Sequence, residues 1–370
     1  MLFADDWLVI SGGASWQEGF LLPLLLLRVL GVPFSWKKLT TGFVVNWLGL
    51  EVNLSEWRLG LSARRAAWVD SWMDETINKQ HVTISELRQA VGRLQFAYSV
   101  IVWDRPFLAA FYAVISLHPP DAIVKLPAFL TTVLSWLRER LAARRTVPCG
   151  RAGGDPAPLF RVDAKADGND VVIGGWEPHC DENGAPCTQK SRWFAIRLTP
   201  QSAPWAFWRG EPYKAISALE LLGTVICLML FKAKRTEGQK IMTVTGLTDS
   251  MVASMVLGKG LATAFPLCLI AMEAAAQMEE QRLDLALQWV PRDVNAEADA
   301  LSNMRFQGFS PALRVEAEMD ELPFLVLPRL LEDAKSFMNS KTATVLRPRG
   351  RTGMKVHLAP AKRLRVSQPW

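Results

Sequence analysis

Leu159–Trp176, LFRVDAKADGNDVVIGGW, decides how this chain reads. An apolar run carrying Asp163 gives way to a polar turn, Asp167-Gly168-Asn169-Asp170, and a β-branched run, Val171–Ile173, ends in Gly174-Gly175. Apolar runs bounded by Asp, Gly and Asn predict a β-hairpin. The carboxylate in the first strand is the anomaly. Among apolar neighbours a charge is costly unless it is paired or binds a metal. An Asp on a strand edge facing solvent satisfies the same pattern, and Asp is mostly exposed in proteins.

Three further acids lie in separate segments. Glu220 sits in Ile216–Phe231, where Ile216, Leu219, Gly223, Ile226 and Leu230 recur at helical spacing. That predicts a core helix with Glu220 on or beside its buried face. Asp249 follows the apolar run Ile241–Leu247 and opens a second helical pattern. It therefore falls at a strand's carboxyl end and a helix N-terminus, where the helix dipole favours an anion. Asp299 lies in Asn295–Ser302 (NAEADALS), after a short strand expected over Leu285–Val290, with Asn295 as the N-cap. Four carboxylates so dispersed meet only if a sheet gathers them. The chemistry that needs such a cluster is two-metal hydrolysis of a phosphodiester: Mg²⁺ prefers oxygen ligands, and two ions clamp the attacking and leaving oxygens.

The succession of Asp163 in a first strand, Glu220 in ALELL, Asp249 in Thr248–Ser250, and NAEADALS preceded by Trp289-Val290-Pro291 resembles the ribonuclease H domain of retroelement reverse transcriptases. The resemblance covers roughly residues 158–306. It implies a five-stranded mixed sheet flanked by helices, with Asp163, Glu220, Asp249 and Asp299 as the metal-binding acids. It also implies two Mg²⁺ (or Mn²⁺) ions and an RNA–DNA hybrid as substrate. Some members place an assisting histidine in a late loop. Here none lies between His179 and His357, so no such role is expected.

The amino terminus, MLFADDWLVI, carries Asp5 and Asp6 side by side. Neighbouring strand residues point to opposite faces, so adjacent acids suit the tight turn between two strands. Ser15–Leu30 reads as a helix with an irregularity at Pro23, and Phe43–Leu54 as a strand pair. This order resembles the back half of a reverse-transcriptase palm. By that resemblance Phe3–Asp6 is the polymerase acid box, Lys37 and Lys38 are a lysine pair, and Trp47-Leu48-Gly49 is the primer-grip strand, the last two groups contacting nucleic acid. Residues 62–117 read as helices, with Thr83–Glu86 a helix start and Arg105–Leu108 the start of another. They resemble a thumb and connection, with Gly92–Gln95 near the template–primer, and one more helix is expected over 126–145. A palm also needs a third Asp in an earlier strand, and fingers. Only Met1 and Leu2 precede Phe3, so a missing amino-terminal polymerase portion and no primer extension by this chain alone are expected.

The 370-residue length predicts two or three domains, and 50% hydrophobic residues suffice for real cores. The resulting fold class is α/β: a partial palm over 1–60, a helical thumb and connection over 61–145, and a Pro/Gly-rich linker over 146–157. The ribonuclease H-like domain over 158–306 and a carboxyl-terminal extension over 307–370 complete it. Cysteines 149, 180, 187, 227 and 268 are odd in number and scattered, which suggests reduced thiols in an intracellular protein, cytoplasmic or nuclear. His179-Cys180 with Cys187 raises zinc, but no fourth ligand is visible and a polar loop fits better. Acids stand where a secretory signal needs bases. The apolar run Phe20–Leu27 is broken by Pro23 and the Glu220 helix is short and charged, so no membrane span is expected.

Net charge is +6 with a pI of about 9.1. Residues 341–370 hold eight bases, Arg347, Arg349 and Arg351 among them, without one acid, and a second cluster runs from Arg138 to Arg151. Such runs suit a polyanion such as nucleic acid through counterion release, and a solubilising tail explains them equally. Trp205-Ala206-Phe207-Trp208 could stack on nucleic acid, although fifteen Trp in the chain make packing the commoner role. Two functions compete: metal-dependent cleavage of RNA in RNA–DNA hybrids, and a catalytically silent nucleic-acid-binding remnant of a retroelement polyprotein. The thumb-like pattern leans towards DIRS-like or gypsy-like elements, and the segment 150–310 is expected to fold and nick a hybrid by itself.

Overall fold

The computed structural model describes residues 2–3, 6–149, 151–152, 157–181, 185–208, 210–232 and 241–339. Asp5, Arg347, Arg349 and Arg351 fall outside these residues, as does the side chain of Asp6.

Strands β1 (Leu2–Phe3) and β2 (Asp6–Trp7) pair antiparallel with Phe3 opposite Asp6. Helix α1 (Trp16–Val29) forms over the expected stretch with Pro23 inside it, and leaves Leu21, Leu22, Leu25, Leu26 and Val29 exposed. Lys37 and Lys38 lie exposed in a 3-10 turn, Trp36–Lys38. Strands β3 (Val44–Trp47) and β4 (Leu50–Asn53) form the expected pair. Between them Leu48 and Gly49 both take positive φ, 52° and 77°, the backbone of a mirrored two-residue hairpin turn whose twist matches its strands. Of the stretch Trp47–Gly49, expected as a strand, Trp47 therefore ends β3 and Leu48-Gly49 form the hairpin corner.

Strand β5 (Arg58–Leu61) extends this sheet. Helix α2 (Ala63–Lys79), strand β6 (His81–Thr83) and helix α3 (Ile84–Ala97) follow, and α3 starts at the expected place with a capping box between Thr83 and Glu86. A 3-10 segment, Val102–Phe107, leads into α4 (Leu108–Ile115), so the helix expected from Arg105 is divided in two. Strand β7 (Ile123–Lys125) pairs with β6, and helix α5 (Ala128–Ala143) follows. Strand β8 (Thr146–Pro148), inside the stretch read as linker, becomes the fourth strand of the first sheet by pairing with β5. Arg145 ties it to β4 through a two-pronged contact with Glu51 at 2.9 and 3.0 Å.

The second sheet comprises β9 (Arg151–Ala152), β10 (Phe160–Asp167), β11 (Asp170–Glu177), β12 (Arg192–Leu198), β13 (Ile241–Thr248) and β14 (Leu283–Trp289). Its order is β12-β11-β10-β13-β14, with β9 added beside β13. The first three run antiparallel, whereas β13 and β14 lie parallel to β10. This is the mixed sheet that the ribonuclease H resemblance implies, with six strands instead of five because β9 joins it. The associated helices are α6 (Pro204–Phe207), α7 (Ile216–Leu230), α8 (Met251–Lys259), α9 (Leu267–Glu280), α10 (Ala296–Ser302) and α11 (Leu327–Asn339).

Strand alternation sends Val162 and Ile173 to the face covered by α7, and Asp163 and Gly174 to the face covered by α10. On the α10 side Trp176, Trp193, Leu301 and Phe309 pack together. The stretch Pro212–Leu230 is, among the described residues, the one helix long and apolar enough to cross a membrane, and most of it is buried inside the protein. The main core is continuous from Leu50 to Ala334 and joins both sheets. Trp103 donates its indole N–H to the Leu283 carbonyl at 3.1 Å. The extension also folds back. Glu273, fully buried on α9, accepts the backbone N–H groups of Leu325, Val326 and Leu327 at 2.8–2.9 Å, and α11 packs on α5 and α9.

Candidate active site

Strand register brings the first two acids together. Val162 lies opposite Thr248 across the parallel pair β10–β13, so Asp163 and Asp249 each follow one half of the same step. The chain turns at Thr248 because Ser250 caps α8, its hydroxyl accepting the Ala253 N–H at 3.2 Å. Trp289 on β14 donates its indole N–H to the Asp249 carbonyl at 3.0 Å, and Val290 N–H donates to the Thr248 carbonyl at 2.9 Å.

Glu220 arrives on α7. The helix approaches so closely that a Cβ on Gly223 would stand 2.7 and 2.9 Å from methyls of Val162 and Ile173. One turn earlier, Glu220 reaches Ser250, whose hydroxyl donates to its Oε2. Asp299 arrives on α10, which is seated on β11 with Ser302 N only 2.5 Å from where a Cβ on Gly174 would be. The buried Ser302 hydroxyl donates to Asp163 Oδ2. Asn295 occupies the cap position of α10, but its side chain makes no capping bond. It is fully buried and donates instead to the Val162 carbonyl at 3.0 Å. Tethering α10 to β10 replaces the capping role expected from its position.

Burial and like charge govern the electrostatics. Asp163 is 7% exposed, and its carboxyl is pushed up to about 7, first by burial and then by Asp249 and Asp299, against the stabilising Ser302 hydroxyl. Burial raises Glu220 as well; the Ser250 bond opposes this and Asp249 adds to it. Asp249 Oδ1 is buried with no hydrogen-bond partner. Its approach to Asp163 is carboxyl to carboxyl, a hydrogen bond only when the pair holds a proton. Asp299 differs. Arg292 Nε lies 3.0 Å from its Oδ1 and Arg305 Nη2 lies 2.9 Å from its Oδ2. Asp299 in turn holds the Arg292 guanidinium above its ordinary pKa.

All four acids are thus gathered at one end of the β10–β13 seam. Among the described residues, however, no three His, Cys, Asp or Glu side chains form a ready metal cage. The donor set is nevertheless the one a hard divalent cation uses, and the partnerless Asp249 oxygen beside the raised Asp163 is an unmet acceptor that a cation would satisfy. Asp163, Glu220 and Asp249 fit a metal on those grounds. Asp299 is instead paired with Arg292 and Arg305.

Sequence reading missed Ser250, Ser302, Arg292 and Arg305. Ser250 carried a signal as a helix cap, whereas the arginines carried none. Lys37, Lys38, Trp47 and Gly49 belong to the first sheet and its lead-in. Trp205 is buried, while Trp208 is exposed with an edge-on contact to Phe265 at 5.9 Å. The Cys187 N–H donates to the His179 carbonyl at 2.8 Å and Cys180 bridges Pro186, which closes a loop; all five cysteines are free thiols.

No protein-family model and no curated protein matches the chain. Among solved structures it is similar to ribonuclease H1 of the halophilic archaeon Halobacterium salinarum, at 18% identity and a TM-score of 0.28 over 42% of this chain and 98% of that one. It is similar to the amino-terminal ribonuclease H domain of a Mycobacterium tuberculosis protein fused to maltose-binding protein, at 20% identity and a TM-score of 0.24, over 40% of this chain and 94% of that chain. It is also similar to the foamy viral protease–reverse transcriptase dRH in complex with double-stranded DNA, at 14% identity and a TM-score of 0.30. That likeness covers 76% of this chain and 44% of the viral chain, so the chain spans less than half of the viral one.

Proposed function

We propose that this chain hydrolyses the RNA strand of RNA–DNA hybrids with divalent metal, using Asp163, Glu220, Asp249 and Asp299. The observation that carries the reading is the buried, partnerless Asp249 oxygen beside an Asp163 carboxyl raised to about 7, with Glu220 adjoining. Mg²⁺ or Mn²⁺ ions held there would polarise the phosphodiester and lower the pKa of the attacking water. The protein's own part is positioning. Ser302 fixes the Asp163 carboxylate, Ser250 fixes Glu220, and the Trp289 indole holds the Asp249 backbone. The excess of basic residues supports a polyanionic substrate. By the reverse-transcriptase resemblance, residues 1–60 correspond to the back half of a polymerase palm, and the thumb-like helices that follow lean towards DIRS-like or gypsy-like elements.

The test is cleavage of a labelled RNA–DNA hybrid by the full chain with Mg²⁺ or Mn²⁺, against Asp163→Asn and Asp249→Asn. Both substitutions should abolish nicking of the RNA strand. Equal rates in all three proteins would point to a contaminating nuclease and remove the proposal. A second reading, a silent nucleic-acid-binding remnant, draws support from the two arginines on Asp299. It would stand if the folded chain bound hybrid but cut in no metal.

A further inference from the structure

Asp299 is only 16% exposed, whereas Arg292 and Arg305, which hold it, are 75% and 60% exposed. Arg292 stands in a 3-10 turn, Arg292–Asn295, directly after β14, and Arg305 stands just beyond α10. Arg292 directs Nε and Nη2 at one oxygen of Asp299, and Arg305 directs Nη2 at the other. A guanidinium carries five N–H donors, so each has donors beyond those contacts. The same planar fork fits a phosphate as well as a carboxylate. Both guanidiniums reach Asp299 from solvent, so an incoming phosphate competes for the same donors.

The base beneath them is firm. Asn295 ties the start of α10 to β10, Ser302 ties its end to Asp163, and Gly174 lets the helix sit directly on the sheet. The arginines can therefore swing without moving the backbone that carries Asp299. Arg292 also feels the charges of Asp163 and Asp249, which places its positive charge beside the acid cluster.

We propose that Arg292 and Arg305 form a phosphate-operated latch. In the free chain they neutralise Asp299. When an RNA–DNA hybrid arrives they transfer to backbone phosphates next to the acid cluster, and Asp299 becomes free for metal. This rests on the ribonuclease reading for what the edge binds. It adds two substrate-positioning residues.

The test measures binding of a fluorescent RNA–DNA hybrid to the full chain in EDTA, across a salt series, so that neither metal nor cleavage enters. Arg292→Ala and Arg305→Ala should each weaken binding severalfold and lower the log–log salt slope by roughly 0.9. Arg292→Lys should keep the slope and lose part of the affinity, because charge remains and the fork does not. Asp299→Asn should tighten binding severalfold by releasing both arginines in advance. That gain should vanish when both arginines are already alanine. Arginine variants that bind as tightly as wild type would overturn the latch, and so would an Asp299→Asn gain that survives without the arginines. Variants that melt at lower temperature with unchanged binding would make the pair a structural tie, and the latch would again fall. The expected binding pattern without cleavage in Mg²⁺ or Mn²⁺ would sink the nuclease reading and leave the arginines as phosphate contacts.

Discussion

Asp163 carries a pH dependence whose sign follows from its surroundings. In the unfolded chain an aspartate ionises near 3.9, whereas burial and its neighbours hold it near 7 in the fold. Below about pH 4 both states are protonated and the group has no effect. As pH rises through the window from about 4 to about 7, the unfolded state gives up its proton more readily, and folding loses stability. The loss is complete above about 7. Asp163→Asn should therefore stabilise the chain by about 1–3 kcal/mol more at about pH 8 than at about pH 4. Denaturant titrations in EDTA at both pH values measure this, and a larger gain in acid would contradict it. Mg²⁺ at the higher pH should raise the melting temperature of wild type, and far less that of Asp163→Asn with Asp249→Asn. Asp163, Glu220 and Asp249 were visible in the sequence because each interrupts or ends an apolar pattern, and Asp299 because NAEADALS follows a strand. Arg292 and Arg305 were not, since nothing local to a guanidinium says which carboxylate it will meet seven or six residues away.

Among the elements, α10 depends on one missing side chain. The pair Gly174-Gly175 within β11 read only as the end of a β-branched run, yet glycine in a strand interior often marks a close approach. Here a Cβ at 174 would lie 2.6 Å from Leu301 Cβ and 2.7 Å from its carbonyl carbon, contacts that only movement of α10 can relieve. Gly174→Ala should destabilise by about 1–3 kcal/mol. It should also lower hybrid cleavage, because Ser302 would withdraw from Asp163. Thermal melting and cleavage rate report the two effects, and an alanine variant with wild-type stability and rate would show that α10 is not seated as described. The long elements were legible: the Leu159–Trp176 hairpin, the α7 stripe and the Thr83 capping box all declare themselves within a few residues. The short ones were not. Strands β6, β7, β8 and β9 have two or three residues each, too few for a period to register, and tertiary pairing alone makes them strands.

The same tertiary packing bears on whether 150–310 can stand alone. Helix α9 is buried nearly all round, by α7 and β14 from within that segment, and by Val102–Phe107 and α11 from outside it. Two of its acids depend on the outside partners. Glu273 accepts three backbone N–H groups from 325–327. Glu279, 4% exposed, pairs with Arg140 and with Arg144, the latter at 3.3 Å. Asp104 lies in the same interface, where burial and then Glu279 raise its carboxyl well above the usual range, against the pull of Arg140. Cutting at 150 and 310 strips these partners and uncovers the apolar face of α9. The excised segment should therefore be poorly soluble or lack a cooperative melt, contrary to the expectation from its motifs. The full chain should unfold in one transition, with far-UV circular dichroism and tryptophan fluorescence coincident. Arg140→Met should shift that single transition down, by about 3 kcal/mol or somewhat less because Arg144 still faces Glu279. Two separate transitions, or a monomeric 150–310 that melts cooperatively, would show that the continuous core and the Arg140–Glu279 pair hold together units able to fold apart.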